Sequence, residues 1–419
     1  MGDIVIMPFK EGPSTRCVHY GRSIDPSTHT MNTPIMENAA FAYGTFESWR
    51  EVALGKKPGD IYSRNSNPTT RALNEKMAAL EGAEAATDFS TGMAAINTTL
   101  FALLSPGQRA VTIKDAYGAT YLHFKEILPR FGIRCELCET NDEEAILAAI
   151  AEGCDVLFLE SPTNPLLRVV DFEKLFAAAH KVGAITIADN TFGTPINQHP
   201  IDLGADLVVH SATKFIGGHN DLLAGVVCGK SELVKRIYRY RELVGPSLDP
   251  HRASLLLRSL KTLALRVERQ NQNALAMARF LEKHAKVLKV NYPGLESHPM
   301  HNIAKKQMPG GYGGVLSFEI VGGLEAVARV LPRLKYAYMA ANLGQVDTVV
   351  GPPSLTSHVE CTEEERRAAG IPEGLIRYAV GIEDTEDLIA DMDQALSILR
   401  GARAPRWGAM IASTVTGRR

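Results

Sequence analysis

Residues 206–227 read DLVVHSATKFIGGHNDLLAGVV, an apolar strand pattern that runs into a lysine set among small hydroxyl and glycine residues. Leu207, Val208 and Val209 have the β-branched, apolar character of a buried strand, and the polar cluster starts where that run stops. Lys214 lies inside the cluster. Burial and nearby positive charge both disfavour an ammonium, so a lysine at the dry end of a sheet loses its proton readily and attacks carbonyls. Ser211 and Thr213 offer hydroxyls that bond phosphate oxygens, and Gly217 and Gly218 let backbone come close. Read alone, the segment is a polar turn with a surface lysine or the seat of a Schiff-base lysine.

Working outward, short β-branched runs recur: AVTIKD (110–115), DVLFLES (155–161), AITIADN (184–190) and GVVCG (225–229). Amphipathic helical patterns lie between several of them, among them DFEKLFAAAHKVG (171–183). TRALNEKMAALEG (70–82) reads as a helix closed by Gly82. Strand–helix alternation predicts an α/β fold with a mostly parallel sheet covered on both faces. Ligands bind such sheets at the strands' carboxyl ends, where Asp189, Asn190, Ser211 and Lys214 fall. The first 60 residues, rich in Pro, Ser, Thr and Asn, read as an extended arm (1–60) reaching another subunit. A cofactor-binding α/β domain follows (61–255). Residues 250–284 form a long helix or helix pair, and two strand–helix repeats complete a smaller C-terminal α+β domain (256–400). The tail (401–419) reads as poorly ordered.

With 419 residues, 45% hydrophobic and 22% charged, the chain has an ordinary globular composition of two-domain size. A net charge of −2 provides no basic field, so neither nucleic acid nor an acidic membrane is an expected partner. No run approaches the about 18 apolar residues of a membrane helix. The start, MGDIVIMPFKEG, carries charges within its apolar stretch, unlike a secretory signal. Six scattered cysteines read as reduced thiols of a cytoplasmic protein. Only Cys135 and Cys138 are close, on a strand edge following a helix, and with no second ligand pair no metal site is expected. His298 and His301 read as part of a surface loop.

Three further segments complete a constellation. Asp189 ends an apolar strand, where an acid caps the next turn or pairs with a protonated ring nitrogen. Ser90, Thr91, Gly92 and Met93 open a helix whose N–H groups and dipole form an anion site, or a plain N-cap. Tyr117 follows a strand by a short turn and either packs or lies flat over a ring. A lysine, an acid, a phosphate cup and an aromatic lid are what pyridoxal phosphate (PLP) requires.

In order and spacing, IYSRNSNPTTRALNEKMAALEGAE (61–84), FSTGMAAI (89–96), DAYGATY (115–121), LESPTNPLLRVVD (159–171), IADNTF (187–192), the opening segment and LIRYAVGIEDTEDLIADM (375–392) resemble the Cys/Met-metabolism family of PLP-dependent enzymes. The resemblance covers about residues 16–399. It implies the fold-type I transferase architecture, with a mostly parallel seven-stranded sheet in the large domain. It also implies PLP-dependent γ-replacement or γ-elimination on a Cγ-activated L-amino acid such as an O-acyl-homoserine, cystathionine or a methionine-like compound. The alternative is a cystathionine or methionine γ-lyase, or a β-lyase, that releases a 2-oxo acid and ammonia.

Carried over by position, the family makes Lys214 the Schiff-base lysine and proton carrier, with Asp189 on the pyridine nitrogen and Asn164 on the ring's phenolic oxygen. Tyr117 stacks on the ring and assists proton transfers near the leaving group. Gly92, Met93, Ser211 and Thr213 bind the phosphate, joined by Tyr62 and Arg64 from a neighbouring subunit. Arg377 clamps the substrate α-carboxylate, aided by Asn164 and Tyr62; without the family it reads as a strand-end surface charge. The inter-subunit contacts imply a homodimer at least, with a tetramer of two dimers typical. No metal is implied.

Departures cluster around the substrate. Leu122 stands where cystathionine-handling members commonly place an arginine, and Ala119 where methionine γ-lyases tend to place a cysteine. Asp347, Thr348 and Val349 replace a Glu-Ser-Leu stretch, which puts Thr348 at the substrate pocket. Ala379 replaces a serine, Met36 and Glu37 alter the N-terminal pattern, and Gly217 stands where asparagine is frequent. The cofactor shell is kept and the acceptor pocket rebuilt, so a non-standard acceptor nucleophile is expected.

Overall fold

The computed structural model describes residues 11–20, 29–359 and 361–399. The tail expected to be poorly ordered lies outside the described residues. Seven strands form the first sheet: β1 (Ala85–Phe89), β2 (Arg109–Ile113), β3 (Arg134–Cys138), β4 (Val156–Glu160), β5 (Ile185–Asp189), β6 (Leu207–Ser211) and β7 (Gly225–Gly229). Their order is β1-β7-β6-β5-β4-β2-β3; β7 alone is antiparallel to both its neighbours, and the other pairings are parallel. This is the mostly parallel α/β sheet predicted from the alternation, and β3, carrying Cys135 and Cys138, is its edge.

Each face of the sheet is buried. On one side, Ile96 and Leu100 of the helix Gly92–Leu103 pack in a cluster with Phe158, Ile187, Val209 and Val227. On the other, Leu73 and Met77 of the helix Pro68–Glu81 meet Leu159, Ala188, Val208 and Val226. A fully buried aliphatic side chain contributes about 1.5–3 kcal/mol, which is why the strands read as continuous apolar runs.

The second sheet comprises β8 (Val287–Asn291), β9 (Val315–Ile320), β10 (Tyr338–Met339), β11 (Val349–Gly351) and β12 (Leu375–Ala379), in the order β10-β11-β12-β9-β8. The stretch 250–284 is a helix pair, Pro250–Leu260 and Leu263–Lys283. The second helix ties the halves together: Leu263, Ala264 and Val267 lie in the first core, Ala274, Met277 and Leu281 in the second.

Within the stretch read as an arm, the described residues hold two short helices, Pro13–His19 and Phe46–Ala53. Cys17 of the first is fully buried, and Arg16 donates to the carbonyls of Ala79 and Leu80. His298, read as a surface residue, is buried, and desolvation lowers its pKa to about 4.

Candidate active site

The carboxyl ends of β4, β5 and β6 open on a cavity of about 340 Å³, within the usual range for small-molecule sites. Lys214 lines it from the turn that follows β6, three residues past the strand's end. Its pKa falls to about 8, first because the amine is desolvated and second because the Arg377 guanidinium is near. Nζ donates to Oδ1 of Asn342 at 2.7 Å.

Asp189 and Glu160 end neighbouring parallel strands and are partners in register. Both line the cavity and both are buried. Burial pushes the Asp189 carboxyl above its usual range, against hydrogen bonds from Thr191. Glu160 is pushed up further, by burial and then by Asp189 itself. Two adjacent desolvated carboxylates form an electron-rich wall suited to a cationic N–H group. Glu160 also fixes its surroundings: Oε2 accepts from the Tyr117 N–H at 2.8 Å and Oε1 from the Asn164 N–H at 3.1 Å.

The helix Gly92–Leu103 also begins at the cavity. Thr91 caps it by accepting from the Ala94 N–H at 3.0 Å, while the N–H groups of Gly92 and Met93 lie in the first turn, where no intrahelical acceptor exists. A Cβ on Gly92 would come within 2.7 Å of the Ser211 Cβ, so only glycine lets Ser211 approach this helix start. Thr213 lines the cavity too, its hydroxyl accepting from the Ala224 N–H at 3.0 Å. Donors, hydroxyls and helix dipole make this an anion site.

Arg377, on β12, reaches the cavity from the second sheet and is buried. Nη1 donates to Asn164 Oδ1 at 3.3 Å and Nη2 to the Asn342 carbonyl at 3.1 Å, and burial lowers its pKa to about 10. These acceptors are a neutral amide and a carbonyl, so its planar fork suits an incoming carboxylate.

The cavity therefore unites Gly92, Met93, Tyr117, Asn164, Asp189, Ser211, Thr213, Lys214 and Arg377. Tyr62, Arg64, Leu122 and Thr348 do not line it. Tyr62 and Arg64 lie together on the surface, the guanidinium 5.2 Å from the ring centroid. Leu122 ends the short helix Gly118–Leu122. Thr348 is buried, donating its hydroxyl to Glu383 Oε2 at 2.9 Å and accepting from the Gly381 N–H. Glu160 and Asn342 were missed as site residues. An acid ending a strand is the same signal that marked Asp189, and it would have found Glu160; nothing local marks Asn342, which is brought in by the second sheet.

This donor set fits PLP: an amine of lowered pKa, paired acids, a helix-start anion cradle and a tyrosine lining one cavity. Comparison with known proteins agrees. Residues 14–397 match the family model described as Cys/Met metabolism PLP-dependent enzyme. The chloroplastic cystathionine gamma-synthase 1 of Nicotiana tabacum is 41% identical over 391 residues, covering 93% of this chain and 72% of the relative. An L-methionine gamma-lyase of Fusobacterium nucleatum subsp. polymorphum is 42% identical, covering 92% of this chain and 98% of the relative. The crystal structure of cystathionine gamma synthase from Xanthomonas oryzae pv. oryzae in complex with aminoacrylate and cysteine superposes with a TM-score of 0.88 at 37% identity, covering 93% of this chain and 98% of that one.

Proposed function

Because the chain belongs to the Cys/Met-metabolism PLP-dependent enzymes, with their fold-type I architecture, we propose a role for each residue of the cavity in the γ-replacement or γ-elimination that these enzymes perform on Cγ-activated amino acids. PLP, when bound, supplies an aldehyde carbon for an amine and a ring that takes up electron density as the Cα–H bond breaks. Gly92, Met93, Ser211 and Thr213 hold its phosphate, Asp189 its ring nitrogen and Asn164 its phenolic oxygen. Tyr117 covers the ring. Arg377 clamps the α-carboxylate of the amino acid, which orients Cα toward Lys214. Lys214 Nζ takes the Cα proton, and the Tyr117 hydroxyl moves protons near the leaving group.

The observation that carries this reading is the Lys214 amine, its pKa lowered to about 8, in one cavity with the buried Arg377. The test is incubation of the holoenzyme with O-acetylhomoserine and with methionine, with assay for 2-oxobutanoate, ammonia or a γ-substituted product. Failure to consume any Cγ-activated amino acid overturns it.

A second reading, γ-elimination from a substrate with an uncharged side chain, is favoured by the cations of the cavity. Among the described residues lining it, these are Lys214 and Arg377, and both serve the α end. A distal carboxylate like that of cystathionine finds no cation there, in keeping with Leu122 in place of arginine. Product identification separates elimination, which releases a 2-oxo acid and ammonia, from replacement, which yields a γ-substituted amino acid. The exposed Tyr62 and Arg64 support completion of the phosphate site by a neighbouring subunit, hence a dimer at least and a tetramer built of two. Six free thiols suit a reducing cytoplasm, and among the described residues no helix is long and apolar enough to cross a membrane.

A further inference from the structure

We propose that Asn342 is a positioning residue for the Lys214 amine, held there by a strap, residues 342–346, that the second sheet lays across the lysine's own segment. The inference rests on the reading of Lys214 as the amine that captures the cofactor. The carboxamide is oriented from both ends. Its Nδ2 donates to Asn220 Oδ1 at 2.6 Å and to Gln345 Oε1 at 2.9 Å, which turns Oδ1 toward Lys214 Nζ, 2.7 Å away. The backbone carbonyl of the same residue accepts from Arg377 Nη2 at 3.1 Å. One residue thus contacts both the amine and the carboxylate clamp.

The strap is independently fixed. Gly344 sits at φ +77°, and a Cβ there would come within 2.7 Å of the Phe215 nitrogen and 3.1 Å of the Lys214 carbonyl carbon. The Val346 N–H donates to the Gly218 carbonyl at 2.9 Å, and the Gln345 carbonyl accepts from Gln270 Nε2 at 2.9 Å. The lysine segment and the strap therefore run against each other from Lys214 to Gly218, at a spacing only glycine permits.

An amide oxygen bonds an ammonium more strongly than a neutral amine. Asn342 therefore opposes burial and Arg377, and keeps Nζ aimed at one place while it is protonated. The charged and titratable groups around the amine are Arg377 on β12, Asp189 on β5, Glu160 on β4 and Tyr117, with Asp221 and Arg252 in an adjoining hollow that Lys214 and Asn342 also line.

The experiment is the pH dependence of PLP capture by the cofactor-free full chain, followed by visible absorbance, with Lys214 confirmed as the site by borohydride reduction and mass spectrometry. Asn342→Asp places an isosteric carboxylate at the amine and is expected to raise the midpoint by about one unit, slowing capture at pH 7.5 about tenfold. Asn342→Ala removes the acceptor and is expected to lower the midpoint, and Gly344→Ala, by displacing the strap, to move it the same way. Unchanged midpoints in both Asn342 variants, with adduct formation intact, overturn the role of Asn342 alone. Absence of any adduct on Lys214 in the unsubstituted chain overturns the reading of the lysine itself.

Discussion

Glu160 and Asp189 stand side by side in register at the ends of β4 and β5, and Glu160 alone anchors the backbone of both Tyr117 and Asn164. The pair is buried and resists ionisation as a unit, because each acid is desolvated and Glu160 feels the charge of Asp189. A cation placed at Asp189 relieves that cost, which is the electrostatic reason the position suits an aromatic N–H⁺ group.

The two acids are expected to separate in mutation. Glu160→Gln keeps the shape but turns an amide N–H₂ toward a backbone donor, leaving one buried N–H without an acceptor. That costs about 1–3 kcal/mol and predicts about tenfold or greater weakening of PLP affinity in a spectral titration. Asp189→Asn leaves the site assembled but removes the charge on the ring nitrogen. The expected loss is in kcat, about 100-fold, the scale of one preorganised electrostatic contact. Equal effects of both substitutions on both quantities would contradict the division of labour.

Arg377→Lys tests the clamp. The guanidinium offers two parallel donors to a carboxylate, and an ammonium on a flexible stem does not. Loss of a charge-assisted bond worth about 1.5–3 kcal/mol predicts a KM for the amino acid raised about 10- to 100-fold. PLP absorbance and affinity should stay as they are. A variant with altered absorbance and unchanged KM would place Arg377 with the cofactor instead.

The pH dependence follows from Lys214. Its pKa is lowered from 10.5 to about 8, so the neutral amine grows in as pH rises toward 8. Capture of PLP by the cofactor-free chain should therefore accelerate from pH 6 and level above about 8. Arg377 is the second cause of the lowering after burial. Replacing it by Gln removes a positive charge, stabilises the ammonium and should move the midpoint upward. A midpoint that stays put, or falls, would show that the two groups do not interact.

The sheet was legible because its strands are buried on both faces and read as bare apolar runs, as in LVV before Ser211 and ITIA before Asp189. Site residues next to such runs, Lys214 and Asp189 among them, were legible for the same reason. Arg377 was not: on β12 its neighbours are apolar whether it faces solvent or a cavity, and only the resemblance gave it a role. Asn342 was hidden further, since its meaning arises from a contact 128 positions away with Lys214. Thr348 and Leu122 show the converse, since matched motif positions do not fix which side chains line the cavity of a single chain.

Arg64 tests whether the site is shared between subunits. Its segment is held on the surface by buried bonds: Arg241 Nη2 donates to the Asn65 carbonyl at 2.7 Å, and Nη1 to Asp88 Oδ1 at 2.7 Å. Asn65 Nδ2 in turn donates to Glu242 Oε1 at 2.8 Å. This anchoring leaves Tyr62 and Arg64 exposed, away from the cavity of their own chain. If they complete a neighbour's phosphate cup, Arg64→Ala and Lys214→Ala should each be inactive alone. Mixed after dissociation and reassembly, they should regain activity, because one site of the hybrid dimer joins an intact Lys214 from one chain to an intact Arg64 from the other. If Arg64 serves its own chain, every site in the hybrid carries one lesion and the mixture stays inactive. Recovery of about one active site per hybrid dimer, titrated by the PLP adduct on Lys214, is the expected result.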